Sequence, residues 1–264
     1  MTTLIKVECL RLLKSRPFII CLIVSIAIAV LESLALVALS HDARDECSSI
    51  EYAMIISGIT SDAGLLSAIF VAAFIGVESR DGTIRNKIIS GYSRTKIVIS
   101  YYIISVIFIT GVLLSTFLCS LIVYLVEYDL NFVYYSVLYF LDTLLFKALS
   151  ILFLASLVVF ITCSLRGRVL PIILVIAAIY LFVIVGAVTD VFADSFSSVE
   201  KLFNFLTNIN YIFNSASIGN FTKDSVEKMK YETVDIFRLL IMPIIYTVIN
   251  LLSIWAIFNR KDFK

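Results

Sequence analysis

Residues 97–126 contain no charged side chain, and this run constrains the chain more than any other feature. A bilayer core of about 30 Å needs about 20 apolar residues in helix. Six segments reach or approach that length: 18–39, 59–77, 97–126, 137–162, 170–189 and 236–258. Hydrophobic residues make up 61% of the 264 positions, where a soluble domain carries about 45–50%. The excess must face hydrocarbon. Lipid cannot satisfy open backbone groups and no strand-like alternation appears, so the spans are expected to be helices. Pro17 and Pro171 stand at span starts, where a missing N–H costs nothing, and Pro243 lies inside the sixth span, where a kink is expected.

Orientation follows from the distribution of basic residues. With both ends on one side, that side collects Lys6, Arg11, Lys14, Arg16, Arg80, Arg85, Lys87, Arg94, Lys96, Arg166, Arg168, Arg260, Lys261 and Lys264. The other side holds Arg44, Lys201, Lys223, Lys228 and Lys230 among more numerous carboxylates. Both termini are therefore expected in the cytoplasm. The basic N-terminus precedes an apolar run too long for a cleavable signal peptide and reads as an uncleaved first span. Residues 3–16 place Ile5, Cys9, Leu12 and Leu13 on one helical face, with Arg11, Lys14 and Ser15 on the other. That pattern predicts an interfacial amphipathic helix. Residues 190–235 carry Phe196, Val199, Leu202, Phe203, Leu206, Ile209 and Phe213 at helical spacing, which fits an extracytoplasmic amphipathic helix or a small folded cap.

Catalytic parts are scarce. His41 is the single histidine, which excludes a helical zinc-protease pair. There is no G-x-S-x-G elbow, no P-loop and no metal-ligand spacing among the five cysteines. The charges do not interleave with exposed aromatics, so nucleic acid is not expected as a partner. Ionisable residues inside the spans are candidates for a translocation path, since each costs several kcal/mol unless partnered. They are Glu32 in span one, Asp62 at the start of span two, and Asp142 and Lys147 in span four. Five residues is a poor spacing for a direct pair on one helix, so Lys147 needs a partner elsewhere or a polar cavity. A structural ion pair or a snorkelling end residue is the competing account of these charges.

Between spans two and three lies a compact charged elbow, residues 78–96. Asp81 or Thr83 can cap a short helix there. Ile84 and Ile88 then share a face that can pack into a groove, with Arg80, Arg85 and Lys87 left available for carboxylates or lipid phosphates. A positive-inside loop accounts for the charges but not for Glu78, the Gly82-Thr83 pair or Gly91-Tyr92-Ser93-Arg94.

The run Glu78-Ser79-Arg80-Asp81-Gly82-Thr83-Ile84-Arg85-Asn86-Lys87-Ile88, followed by Gly91-Tyr92-Ser93-Arg94-Thr95-Lys96, resembles the corresponding loop in permeases of type-2 ATP-binding-cassette exporters. The topology of the whole chain is similar to the small bacterial six-helix members. The resemblance implies an all-α integral membrane permease of one domain, residues 1–264, in a bacterial plasma membrane. It implies that the elbow holds a coupling helix docking on a separate ATPase subunit, with Glu78, Arg80, Asp81, Gly82, Thr83, Ile84, Arg85, Asn86 and Lys87 as the contact and coupling residues. It further implies no cofactor on this chain, ATP and magnesium on the partner, and a second permease, either identical or a sister chain. The cargo expected is a peptide, an antibiotic or another amphipathic molecule. An ion-coupled carrier or channel using Asp142 and Lys147, and a non-transporting sensor or assembly factor, stand as alternatives. An ATPase partner would discriminate among them.

Overall fold

In a computed structural model of the chain, residues 2–39, 62–127, 137–165, 167, 169–195 and 233–260 are described. They form eight helices: α1 (Thr2–Leu13), α2 (Arg16–Leu39), α3 (Asp62–Arg80), α4 (Thr83–Ile89), α5 (Arg94–Glu127), α6 (Val137–Ser164), α7 (Val169–Ser195) and α8 (Thr233–Arg260). Among the described residues there is no strand. Among the described residues, four stretches are long and apolar enough to cross a membrane: Arg16–Ala35, Asp62–Arg80, Arg94–Val123 and Lys147–Ser164. Shorter apolar helical stretches occupy Val169–Leu181 and Pro243–Phe258. The outer segment expected to be amphipathic lies outside the described residues from Phe196 onward, as does the 40–58 loop.

Helix α3 is the centre of the bundle, touching α2, α5, α6 and α7. Its buried face explains why: Ala63, Gly64, Ser67, Ala68, Ala72 and Gly76 are small enough to admit neighbouring backbones closely. Between these, Phe70 stacks on Phe108 of α5 at 4.6 Å, and Phe18 of α2 meets the same ring edge-on at 5.4 Å. Helix α8 packs mainly on α6, where Asn250 donates to the Ser156 hydroxyl at 3.0 Å. It runs unbroken through Pro243. Most buried hydroxyls bond back to their own helix, as Ser67 to Gly64 and Ser105 to Tyr101 at 2.7 Å. Large apolar side chains cover the outside, among them Ile20, Leu31, Ile107, Leu114, Ile122, Leu181 and Leu252. Such a surface suits hydrocarbon and no aqueous solvent.

Helix α1 turns one face to the protein. Leu4, Glu8 and Leu12 are buried, Ile5 and Cys9 are half-buried, and Leu13 is exposed with Val7 and Leu10. A carboxylate occupies the middle of the buried stripe. Of the apolar set read from the sequence, Leu12 is buried and Ile5 and Cys9 are half-buried; Glu8 is the addition that apolar spacing does not mark.

Candidate functional site

The elbow begins where α3 ends. Asp81 N–H still bonds Val77 at 2.9 Å, and Gly82 then adopts φ 71°, a left-handed conformation costly for residues with a Cβ. Gly82 is the N-cap of α4, with no side-chain capping bond, so neither Asp81 nor Thr83 caps the helix as the sequence had suggested. Asp81 instead pairs with exposed Arg80 at 2.7 Å. The exit is a Schellman motif: Gly91, at φ 89°, bonds Ile88 through its N–H at 3.0 Å, and Tyr92 N–H bonds Lys87 at 3.2 Å. A seven-residue helix stopped at both ends by left-handed glycines is a rigid corner.

Four helices contribute to a buried ionic cluster behind this corner. Lys87 of α4 places Nζ 2.6 Å from Glu8 Oε1 of α1 and 2.6 Å from Glu78 Oε2 of α3. The same ammonium donates to the Tyr101 hydroxyl of α5 at 3.2 Å and lies 4.7 Å from that ring's centroid. Tyr101 in turn donates to Glu78 Oε2 at 2.5 Å. From α1, Arg11 pairs with Glu78 Oε1, approaches Glu8 Oε2 at 3.6 Å and lies over the Phe74 ring at 5.0 Å.

Two carboxylates and two cations balance, with the Glu78 side chain fully buried and Lys87 only 10% exposed. Buried charges are tolerated only with such partners, and removing one leaves the others uncompensated. Burial, with the Glu78 charge beside it, holds the Glu8 carboxyl above its usual 4.5, against the opposing pull of Lys87 and Arg11.

The elbow residues therefore divide into two groups. Glu78, Ile84 and Lys87 face inward, and Ile84 and Ile88 pack on the chain's own core. Lys87 is thus not available to outside carboxylates or phosphates as its sequence position suggested. Arg80, Asp81, Arg85, Asn86, Ile89 and Ser90 are exposed, while Gly82 and Thr83 are partly so. Sequence reasoning missed Glu8 and Tyr101. The available signal for Glu8 was its isolation: it is the single carboxylate in an otherwise basic N-terminal segment, four residues from both Leu4 and Leu12. Tyr101 carried no comparable signal within its apolar run.

Two of the intramembrane candidates come together. Glu32 of α2 sets its carboxyl against that of Asp62 at the start of α3. Lys147 lies on α6, a partly buried residue, and the Asp142 side chain lies outside the described residues. A groove of about 430 Å³ between α6 and α7 is lined by Phe160, Ile161, Leu174, Ala177 and Leu181 among others, and contains none of these ionisable residues.

Comparison with known protein families matches the family described as ABC-2 family transporter protein, over residues 4–184. The matched stretch takes in α1 from Leu4 onward, the elbow and every member of the ionic cluster. A search of characterised proteins finds no match.

Proposed function

The chain belongs to the ABC-2 transporter family, and from that premise we propose that it is the permease subunit of an ATP-driven exporter whose elbow couples it to a separate ATPase. As a multi-pass membrane component of an ABC transporter, it implies an ATPase partner. The observation that carries the coupling role is the ionic cluster, which ties α4 to α1, α3 and α5 by way of Lys87, Glu8, Glu78 and Tyr101.

In this account six helices cross the plasma membrane, and the elbow end, rich in Lys and Arg, faces the cytoplasm. ATP and magnesium act on the partner, and this chain has no nucleotide site of its own. Arg85, Asn86 and the exposed edge around Arg80 and Ser90 meet the ATPase surface. When ATP closes the ATPase pair, force enters through α4. A floppy loop would absorb that displacement, whereas a glycine-bounded helix with a buried ion lock passes it to α1, α3 and α5 together. Glu78 and Lys87 act as positioning residues behind the contact. A second permease, identical or a sister chain, completes the path, which exports an amphipathic peptide or antibiotic. The family match gives no support to the ion-coupled carrier.

The test separates the two layers of the elbow in the complex purified with its ATPase. Arg85→Glu is expected to lower ATPase recovery while leaving the permease folded. Glu78→Ala and Gly82→Pro are expected to uncouple transport from hydrolysis while membrane insertion continues. Full recovery and full transport in all three variants would overturn the coupling assignment.

A further inference from the structure

The outward face of α1 combines three properties. First, Val7, Leu10 and Leu13 are 60%, 48% and 49% exposed, although each is apolar. Second, the exposed charge on α1 and just beyond it is all positive: Lys6 and Arg11 on the helix, Lys14 in the turn that follows and Arg16 at the start of α2 are exposed. The only carboxylate of α1, Glu8, is withdrawn into the cluster with Lys87 and Arg11. Third, this face continues into α2, where Ile19, Ile20 and Ile23 are 49%, 61% and 59% exposed at the start of a span. Leu13 ends α1 only three residues before Arg16 opens α2, so α1 is held at the membrane boundary.

We propose that this face of α1, with the turn that follows it, binds the anionic phospholipids of the cytoplasmic leaflet, with Lys6 and Lys14 as the headgroup-selective residues. The proposal rests on the membrane orientation given above. A surface of leucine and valine interleaved with lysine matches the boundary between acyl chains and phosphates. Zwitterionic lipid would satisfy the apolar residues but leave the cations without counter-charge. A basic segment next to a span gains attraction from an anionic leaflet, screened within a Debye length. Burying Glu8 serves both ends of α1's role, since it removes the one charge that anionic lipid would repel and fixes α1 to the elbow. Through Glu8 and Arg11, lipid held on α1 bears on the position of α4.

The test uses the full chain in vesicles. Trp255, the only tryptophan, is replaced by Phe, and Leu10→Trp supplies the probe. Quenching is compared between brominated phosphatidylglycerol and brominated phosphatidylcholine, at equal mole fraction and equal total vesicle charge. The expected result is stronger quenching by brominated phosphatidylglycerol, corresponding to an enrichment of about fivefold per lysine. High salt should reduce that preference. Adding Lys6→Gln with Lys14→Gln should abolish it without abolishing lipid quenching. Equal quenching by the two lipids would overturn headgroup selectivity while leaving the membrane placement of α1 intact. Quenching by aqueous acrylamide and by neither lipid would overturn the proposal outright. Trp255 in the unmodified chain, 52% exposed on α8, is the control for the spanning topology and should be quenched by either lipid.

Discussion

Lys87→Met removes the centre of the ionic cluster and keeps most of its volume. The ammonium lies 2.6 Å from a carboxylate oxygen of Glu8 and 2.6 Å from one of Glu78. At an effective dielectric near 20, each such contact is worth about 6 kcal/mol before desolvation. Desolvating the ammonium returns several kcal/mol of that attraction, leaving a net loss of about 3–5 kcal/mol when one partner of a buried set is removed. After the substitution, two carboxylates face a single guanidinium, Arg11, and the cluster carries an uncompensated negative charge. Adding Glu8→Gln restores neutrality and should recover about 1–3 kcal/mol as a favourable coupling energy. Glu8→Gln alone should cost less than Lys87→Met, because burial already disfavours the Glu8 charge. The assay is reversible unfolding of the purified chain by dodecyl sulfate in mixed micelles, read for the four members of this cycle. A Lys87→Met loss below about 1 kcal/mol, or additive effects of the two changes, would refute the cluster as the lock of the elbow.

Three further outcomes follow from the same geometry. Tyr101→Phe deletes the hydroxyl donated to Glu78 and should cost about 2 kcal/mol in that unfolding assay, as expected for a bond to a charged group. At Gly82 a Cβ would meet nothing within 4 Å, so Gly82→Ala carries only the backbone cost of φ 71°, about 1–2 kcal/mol. Faster hydrogen exchange of the α4 amides in Gly82→Ala, with a smaller effect in Gly82→Asn, is the expected sign. For Glu8, the folded carboxyl binds its proton more tightly than the unfolded one. Its contribution to stability is therefore fully present below about pH 4.5 and is lost as the pH rises through the raised value. Comparing unfolding free energies against pH for the native chain and Glu8→Gln should show the native chain gaining relative stability on acidification. The opposite slope would mean that ion pairing outweighs desolvation at Glu8.

The apolar helices were legible because hydrocarbon imposes one strong requirement, a long run with few or no charges. Thus 97–126 emerged as the body of α5 and 137–162 as the body of α6. The elbow was legible for a similar reason: Gly82 and Gly91 are punctuation that a bare positive-inside loop does not need. What escaped was the direction in which its side chains point. Lys87 and Arg85 look alike in sequence, yet Lys87 is buried among Glu8, Glu78 and Tyr101 while Arg85 is exposed. That distinction depends on contacts between residues up to 79 positions apart, Glu8 to Lys87, which no local periodicity encodes. Helix α1 shows the same limit. Its apolar spacing marked Leu12, Ile5 and Cys9 but not Glu8, which pairing with Lys87 draws into the protein.

The central claim is that the elbow couples this membrane chain to an ATPase. It is tested most directly by purifying tagged chain from its native membrane in mild detergent and identifying what accompanies it by quantitative mass spectrometry. The account predicts a P-loop subunit in stoichiometric amount, depleted when Arg85→Glu alters the exposed side of α4. A homo-oligomer free of any ATP-binding subunit would contradict it.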